Sequence, residues 1–205
     1  MLRKILDLVL TTLAVQSVAQ VPYVAAGKYP QAPELSFLYT AYVDCKGSIM
    51  SEDGPRGKRQ AIPIVGGNFT GPRLSGMLPP GSQHRGTGAE MPRYAADHFL
   101  GQILDLGADW GTADPKTGIF SADTRYNLRT DDGADIFVQT SGPTSPLGRL
   151  HLRLLFETGH KEYYWLNNIV AIGTLTPVEV GVDSSVLRID AWNFARDWNR
   201  TPWKG

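Results

Sequence analysis

The sequence predicts an all-β fold, an antiparallel β-barrel of about nine or ten strands of the lipocalin-like kind. Three observations support this prediction. Segments such as Leu35 to Val43 alternate apolar and polar residues with the period of two that is typical of a strand. Turn residues separate these segments, and Asp131-Asp132-Gly133 is a strong hairpin signal. The 22 glycines and 14 prolines suit a fold with many turns.

The strand-like segments follow one another along most of the chain. They cover residues 35–43, 59–69, 119–129, 134–140, 149–157, 163–173, 178–182 and 186–192. Gly66-Gly67 interrupts the second segment, and paired glycines within a strand indicate a bulge or a sharp corner of a barrel. We therefore expect one curved antiparallel sheet around a single core.

Ser82 to Phe99 breaks this rhythm and is predicted to form a lid-like insertion at one end of the barrel. The segment is rich in ionisable and aromatic side chains, and it includes Tyr94 and His98. Long irregular connections in compact domains are usually functional or disordered. A surface insertion without a role is one alternative. A contact in a homodimer is the other.

The N-terminus has the residue order of a secretory signal peptide. Arg3 and Lys4 give it a basic start, Leu8 to Val15 is mostly apolar, and Ser17-Val18-Ala19 offers a small-residue cleavage site. The apolar run is too short to span a bilayer. We expect secretion, or residence in the lumen of the secretory pathway, without stable membrane insertion after leader removal. An amphipathic surface helix is the alternative reading.

These features predict a signal peptide at residues 1–19 and a single β-barrel domain at residues 20–205. Lysine plus arginine equals aspartate plus glutamate, with 20 of each, and this balance argues against a nucleic-acid partner. Glycans are expected at the sequons of Asn68 and Asn199 if the chain is secreted. The lone Cys45 excludes an intrachain disulfide.

The sequence predicts neither a metal nor a cofactor. The four histidines show no His-x-His spacing, and Glu157 and His160 are separated by a predicted turn rather than placed along a helix. No Gly-x-Gly-x-x-Gly motif follows a strand, which disfavours a dinucleotide site. The predicted partner is therefore a small-molecule substrate or ligand.

Alternation groups the polar and aromatic residues of three segments onto single faces: Asp123, Arg125 and Asn127; His151, Arg153 and Glu157; and Tyr163, Trp165 and Asn167. The pattern leaves open which face lines the interior. If these residues converge inside, burial would perturb their pKa values and favour proton transfer. If they point outward, they would form cross-strand ion pairs of little energetic weight.

A series of motifs occurs in fixed order between Glu34 and Ile189: Ile62-Pro63-Ile64-Val65-Gly66-Gly67, Gly107-Ala108-Asp109-Trp110, Asp123-x-Arg125-Tyr126, Thr130-x-Asp132-Gly133, Phe156-Glu157-Thr158-Gly159 and Tyr164-x-Leu166-Asn167. Together they resemble the domain of unknown function 3237 family of small β-barrels. The leader and the inserted segment resemble its secreted or fungal-type members, some of which accompany natural-product pathways. This resemblance implies a cyclase or isomerase that needs no cofactor.

The expected function is cofactor-independent acid–base cyclisation or isomerisation of a small aromatic or polyketide-like intermediate. Asp109 or Glu157 would move a proton to or from a phenol, enol or alkene, and Arg125 would stabilise the developing oxyanion. The residues expected to contact the substrate are Tyr39, Trp110, Tyr126, Trp165 and Asn167, with Tyr94 and His98 from the lid. The alternatives are a secreted β-barrel that binds a small apolar ligand without changing it, and a structural protein with a filled barrel.

If the leader is removed, the mature chain begins near Gln20. Mass spectrometry of the native protein, recovered from the secreted fraction, should then show loss of the preceding residues. An intact Met1 on the mature protein would contradict both the signal peptide and the secretory location.

Overall fold

The computed structural model describes residues 32–74 and 101–194, and every structural statement below refers to these ranges. They form one antiparallel sheet of eleven strands. In chain order the strands are β1 Leu35–Lys46, β2 Met50–Gly54, β3 Gly57–Thr70, β4 Gly101–Ile103, β5 Gly107–Asp109, β6 Thr112–Ala113, β7 Phe120–Arg129, β8 Asp135–Pro143, β9 Leu150–Glu157, β10 Ala171–Val180 and β11 Ser184–Phe194. A 3₁₀ helix, Tyr164–Asn168, connects β9 to β10.

The sheet closes on itself, because β1 pairs with β11 on one side and with β3 on the other. The short strands β4, β5 and β6 share the position between β3 and β7, so the ring has eight strand positions. The strand β2 pairs with β3 outside the ring. The predicted all-β, antiparallel barrel is confirmed. The part of the chain with described coordinates contains no helix long and apolar enough to cross a membrane.

Closure requires a sharp bend in β3, and the paired glycines provide it as predicted. Gly66 and Gly67 have φ angles of 152° and 131°. The pairing of β3 with β1 shifts register between Asp44 and Cys45 at the same point. An irregularity of this kind bends a strand and increases its twist.

The interior of the ring is filled by side chains rather than left as a channel. The strand β9 alternates strictly between buried and exposed residues along its whole length. The largest fully buried side chains are Tyr39, Phe69, Leu74, Tyr126, Leu128, Ile136, Val138, Thr140 and Leu166. Burying one large apolar side chain contributes roughly 1.5–3 kcal/mol, so this interior is the main source of stability.

The predicted strand at residues 163–173 is wrong in its first half. Tyr163 and Leu166 are both buried three residues apart, which is the spacing of a 3₁₀ helix rather than of a strand. The Asn167 amide fixes this local turn by donating to the carbonyl oxygens of Thr158 and Tyr164. The separate strand predicted at 178–182 is also wrong, because those residues continue β10 and its turn.

The predicted hairpin at Asp131-Asp132-Gly133 is confirmed and joins β7 to β8. The Gly133 N–H donates to the Thr130 carbonyl oxygen at 2.9 Å, and the Thr130 N–H donates to the Ala134 carbonyl oxygen at 3.0 Å. These bonds fix the register of the two strands that carry much of the barrel wall.

Several predictions lie outside the described residues. They are the signal peptide, the lid at Ser82 to Phe99 with Tyr94 and His98, and the sequon of Asn199. The other sequon residue, Asn68, is half-buried in β3, where it pairs with β1 and β4. Its glycosylation stays a prediction.

Replacing Gly67 by alanine should lower the free energy of unfolding by roughly 2–4 kcal/mol, because a positive φ and a steric clash coincide there. A Cβ atom at this position would lie 2.1 Å from the Tyr42 carbonyl oxygen. Gly118→Ala is the matched control, because Gly118 also has a positive φ but has nothing within 4 Å of the added atom. Chemical denaturation should show the smaller loss in Gly118→Ala, and equal losses would contradict a steric role for the corner.

Candidate active site

Asp109 faces the inside of the barrel near one of its ends. It lies on β5, directly opposite Ile62 on β3 and Thr124 on β7. Opposed residues of an antiparallel pair project from the same face of the sheet. Because Thr124 is buried and in turn opposes the buried Thr140 on β8, this face is the interior one.

Burial raises the pKa of the Asp109 carboxyl, and three hydrogen bonds partly oppose that rise. The Asp123 N–H donates to Asp109 Oδ1 at 2.9 Å, and the Thr124 hydroxyl and the Gly111 N–H are the other donors. The carboxyl is therefore protonated at higher pH than an exposed aspartate. A neutral carboxyl at an interior position is suited to donate a proton.

An apolar side chain, that of Ile62, lies opposite Asp109 on β3. Ile62, Phe120 and Leu187 are half-buried and pack against the core. The buried Cys45 thiol lies close enough for the charge of Asp109 to affect it. Burial first, and then that charge, raises the pKa of the thiol to about 12, so it stays neutral and is a poor nucleophile.

Deeper in the interior, Tyr39 and Tyr126 face each other with their hydroxyl oxygens 3.2 Å apart. Both side chains are fully buried. The Tyr39 ring meets Phe69 and Phe156 edge to face, with 6.2 Å between ring centroids in each pair. Burial raises the pKa of both phenols, that of Tyr126 to about 12, so both are neutral hydroxyls near neutral pH.

Arg125 lies on the outer face of the same wall. It opposes Ala108 and Gln139, one position along β7 from the inward Thr124. Its guanidinium pairs with Asp123 at 2.9 Å, and the side chains of both residues are 41% exposed. Exposed pairs of this kind stabilise a fold only slightly.

Trp110 belongs to the same outer surface. It is 39% exposed, and its ring centroid lies 6.0 Å from the Arg125 guanidinium carbon. Its carbonyl oxygen accepts a hydrogen bond from Arg59. The predicted pair of Asp109 and Arg125 is thus separated by the barrel wall.

Glu157 also lies on the outer face, where it opposes the exposed Phe137. It lines an open depression of about 790 Å³ on the outside of the barrel. The residues that line this depression are Asn127, Asp135, Phe137, Glu157, Thr158, Gly159, Tyr164 and Asn167. Glu157 and Asn167 are brought together here, away from Asp109. The three predicted acid–base residues therefore do not share one cavity.

The remaining predicted contact residues have structural partners. The Asn167 amide oxygen accepts from the Thr158 N–H at 2.9 Å, in addition to the two bonds that its nitrogen donates. Trp165 packs partly against the core, and the guanidinium carbon of Arg73 lies 4.0 Å from the centroid of its ring. Both residues belong to the 3₁₀ helix beside the barrel end that carries Phe156.

Sequence reasoning missed Thr124, which opposes Asp109, and Thr140, which opposes Thr124 on the same interior face. The signal that could have found them is the phase of β7, where Ala122, Thr124, Tyr126 and Leu128 alternate with charged or amide residues. The apolar members of that phase mark the inward face. In the two described ranges, no group of three or more His, Cys, Asp or Glu side chains is arranged to hold a metal ion.

Comparison with known proteins finds similarity to a fungal enzyme and to a bacterial UPF0311 protein. The chain is 28% identical over 159 residues to the hydroalkoxylation enzyme phnH of Penicillium herquei, a match that covers 77% of this chain and 85% of that protein. It is 27% identical over 135 residues to a UPF0311 protein of Rhodopseudomonas palustris, covering 58% of this chain and 71% of that one.

Solved structures show the same fold. A beta-barrel-like protein from Acinetobacter baumannii AYE matches with a TM-score of 0.57 and 30% identity, over 80% of this chain and 98% of that one. An enzyme from Penicillium herquei matches with a TM-score of 0.56 and 21% identity, over 82% and 99% respectively. At 21% identity, the similarity to the Penicillium herquei structure is evidence for the fold alone.

The sequence pattern of one family, described as protein of unknown function (DUF3237), matches residues 33–149. That range is more than half of the chain and includes Asp109, Tyr39 and Tyr126. It carries most of the motifs from which the family was predicted. The chain therefore belongs to the DUF3237 family.

Proposed function

We propose that this protein is a cofactor-independent cyclase that adds a hydroxyl group across a carbon–carbon double bond of a small aromatic or polyketide-like intermediate. The observation that carries the proposal is Asp109, a carboxyl on the inner face of an otherwise largely apolar barrel whose burial raises its pKa. Such an acid can protonate a weakly basic carbon, because it keeps its proton until a substrate is in place.

The reaction is balanced without any redox partner. The Asp109 carboxyl donates its proton to one alkene carbon, and a C–H bond forms as the π bond breaks. The substrate hydroxyl oxygen then attacks the other carbon, and a C–O bond forms. The hydroxyl proton returns to the Asp109 carboxylate, so the product is a cyclic ether with the formula of the substrate and the enzyme is restored.

The similarity to a fungal hydroalkoxylation enzyme supports this choice among acid–base cyclisations and isomerisations. Hydroalkoxylation is the addition of an alcohol O–H across a carbon–carbon double bond, which needs one proton donor and one proton acceptor. A single carboxyl that donates and then accepts satisfies both needs. The match spans 85% of that relative, so the comparison concerns nearly its whole chain.

Asp109 is the acid that this mechanism uses, with Tyr126 and Tyr39 farther along the interior. A catalytic role for Arg125 or Glu157 stays a prediction, and their position on the outer face favours Asp109 over both. Burial raises the Asp109 pKa and therefore favours the neutral acid. Glu157 is exposed on the outer face.

The second candidate is a barrel that binds a small apolar ligand without changing it. The partly buried apolar side chains of Ile62, Phe120 and Leu187 favour this function, because they pack against the core without being fully covered. The two functions differ in one measurable respect. A binding protein would be indifferent to the protonation of Asp109 once its ligand is bound.

The Asp109→Asn variant should lower kcat by roughly 10²–10⁴-fold while the fold survives, because the amide keeps the shape but cannot transfer the proton. Purified protein would be incubated with a panel of ortho-alkenyl phenols and naphthols, and cyclic ether would be separated from its isomeric substrate by chromatography. In deuterium oxide, the product of the wild-type enzyme should gain one deuterium at carbon.

Asp135→Asn is the matched control, because it removes an outer-face carboxylate that pairs with Arg129 and is not among the groups that shift the Asp109 pKa. Its turnover should stay near that of the wild type, and Glu157→Gln should behave in the same way. Full activity of Asp109→Asn on a substrate that the wild type converts would rule out Asp109 as the acid. A large loss in Glu157→Gln would instead assign the chemistry to the outer depression.

Activity should fall as pH rises through the Asp109 pKa, with an inflection above the ordinary aspartate range. The contribution of Asp109 to the free energy of unfolding should also fall as pH rises, because its pKa is higher in the folded state than in the unfolded state. Its contribution is fully present below the unfolded pKa and is lost as pH rises through the folded one. The difference in unfolding free energy between wild type and Asp109→Asn should therefore vary with pH in this window. A difference independent of pH would contradict the raised pKa.

A further inference from the structure

A continuous apolar surface covers part of the outside of the barrel. It crosses the adjacent strands β1, β11, β10 and β9, near the end of the barrel at which β1 begins and β11 ends. We call this surface the outer apolar face. Its side chains are Leu35, Phe37, Leu155, Val170, Ile172, Trp192 and Phe194.

Strand register places these side chains next to one another. Leu35 pairs with Phe194, and Phe37 pairs with Trp192. The rings of Phe37 and Trp192 meet edge to face, with 6.3 Å between their centroids. Trp192 in turn pairs with Ile172 on β10. Paired residues of an antiparallel sheet project from the same face, so these five side chains form one surface.

Leu155 and Val170 extend the outer apolar face toward β9. Ala171 pairs with Leu154, and both are buried. The residues beside them, Val170 and Leu155, therefore lie next to each other on the outside. The other outward side chains of β9 are ionisable: His151, Arg153 and Glu157.

Much of this surface is open to solvent. Leu155 and Val170 are 64% and 60% exposed, and the exposure of Leu35, Phe37 and Ile172 lies between 39% and 45%. Single apolar side chains on a surface are ordinary, whereas a contiguous apolar patch indicates an interaction surface. The outer apolar face is of the second kind.

The charges around this face disfavour a charged partner. Along β11 the next outward residue is Asp190, which accepts a hydrogen bond from Thr40 Oγ1 at 2.6 Å and pairs with Arg188 at 3.0 Å. On β9, Arg153 pairs with Ile172. A surface that binds anionic lipid carries mainly lysine and arginine around its apolar part. The rim here has both signs.

The size of the outer apolar face matches the requirement of a homodimer. An aromatic side chain has about 150–250 Å² to bury, so the exposed parts of these seven side chains amount to apolar area of the order of 500 Å². A standard interface buries about 800 Å² on each subunit, and a homodimer interface is about 65% apolar, which again gives about 500 Å². An uncharged surface also meets its own copy without repulsion, as two-fold symmetry requires.

We propose that the outer apolar face is the interface of a homodimer, in which two copies of this chain pack these faces against each other. Sheets that pack face to face lie about 10 Å apart, with their strand directions within about 30°. The face uses none of β3, β5 and β7, the strands that carry Asp109 and its neighbours Ile62 and Thr124. Each subunit therefore keeps its own Asp109 site.

The test is sedimentation velocity of the full chain at a series of concentrations. The wild type should have twice the mass of one chain, with a Kd of about 10 μM or lower, because interfaces of this size range from micromolar to picomolar. Leu155→Lys and Ile172→Lys should each raise the Kd at least about tenfold, because each buries an unpaired ammonium group in the interface. Circular dichroism checks that each variant is folded.

Val180→Lys is the matched control. Val180 lies on β10 like Ile172 and is 77% exposed, but it lies outside the outer apolar face. This variant should keep the Kd of the wild type.

A second measurement uses the wild type alone and so needs no variant to fold. Carbene footprinting labels exposed side chains. Labelling of Phe37 and Leu155 should fall as the protein concentration rises through the Kd, while labelling of Val180 stays constant.

Three results would overturn the proposal. The first is a wild type that is monomeric at every concentration. Binding of that monomer to phosphatidylcholine vesicles would then assign the face to lipid, and constant protection of Leu155 from labelling would assign it to another part of the same chain. The second is a dimer that both folded lysine variants leave intact. The third is equal weakening by Val180→Lys.

Discussion

The pairing of β1 with β3 is the contact on which the rest of the structure depends. It closes the sheet, removes the free edges of an open sheet and creates an interior that must be filled. The closure in turn depends on the corner at Gly66-Gly67, where a side chain would collide with the backbone of β1. Once the ring is closed, the period of two along each strand decides which residues are inside.

That constraint separates residues that are neighbours in sequence. Thr124 and Arg125 are adjacent on β7, yet one is buried beside Asp109 and the other pairs with Asp123 on the outside. The consequence is electrostatic as well as geometric. Burial raises the pKa of Asp109. On the outer face, the partly exposed side chains of Arg125 and Asp123 form a salt bridge with each other.

The interior thus combines a largely apolar filling with a small number of polar groups. Asp109, Thr124 and Thr140 lie toward one end, and the hydroxyls of Tyr39 and Tyr126 lie farther along. The two kinds of polar group differ in surroundings, because the tyrosine hydroxyls are fully buried and bond to each other, whereas Asp109 is only partly buried. Asp109 is therefore the member of this set that a substrate at the barrel end could reach.

The sequence by itself determined the fold class, the corner at Gly66-Gly67, the hairpin at Asp131-Asp132-Gly133 and the family. These features depend on alternation, on turn residues and on motif order, which are local properties of the chain. It also suggested Asp109, Tyr39 and Tyr126 as site residues. It missed the 3₁₀ helix at Tyr164–Asn168, because that turn is held by the Asn167 side chain and not by backbone preference.

Only the tertiary structure decided which face of each strand is inside. Alternation assigns Arg125 and Tyr126 to opposite faces, but the two faces become unequal only when the ring closes and one of them loses its water. Closure therefore put Asp109 beside Thr124 and left Glu157 outside, opposite Phe137. The pairing of Tyr39 with Tyr126 likewise joins residues 87 positions apart, a distance along the chain that no local pattern can predict.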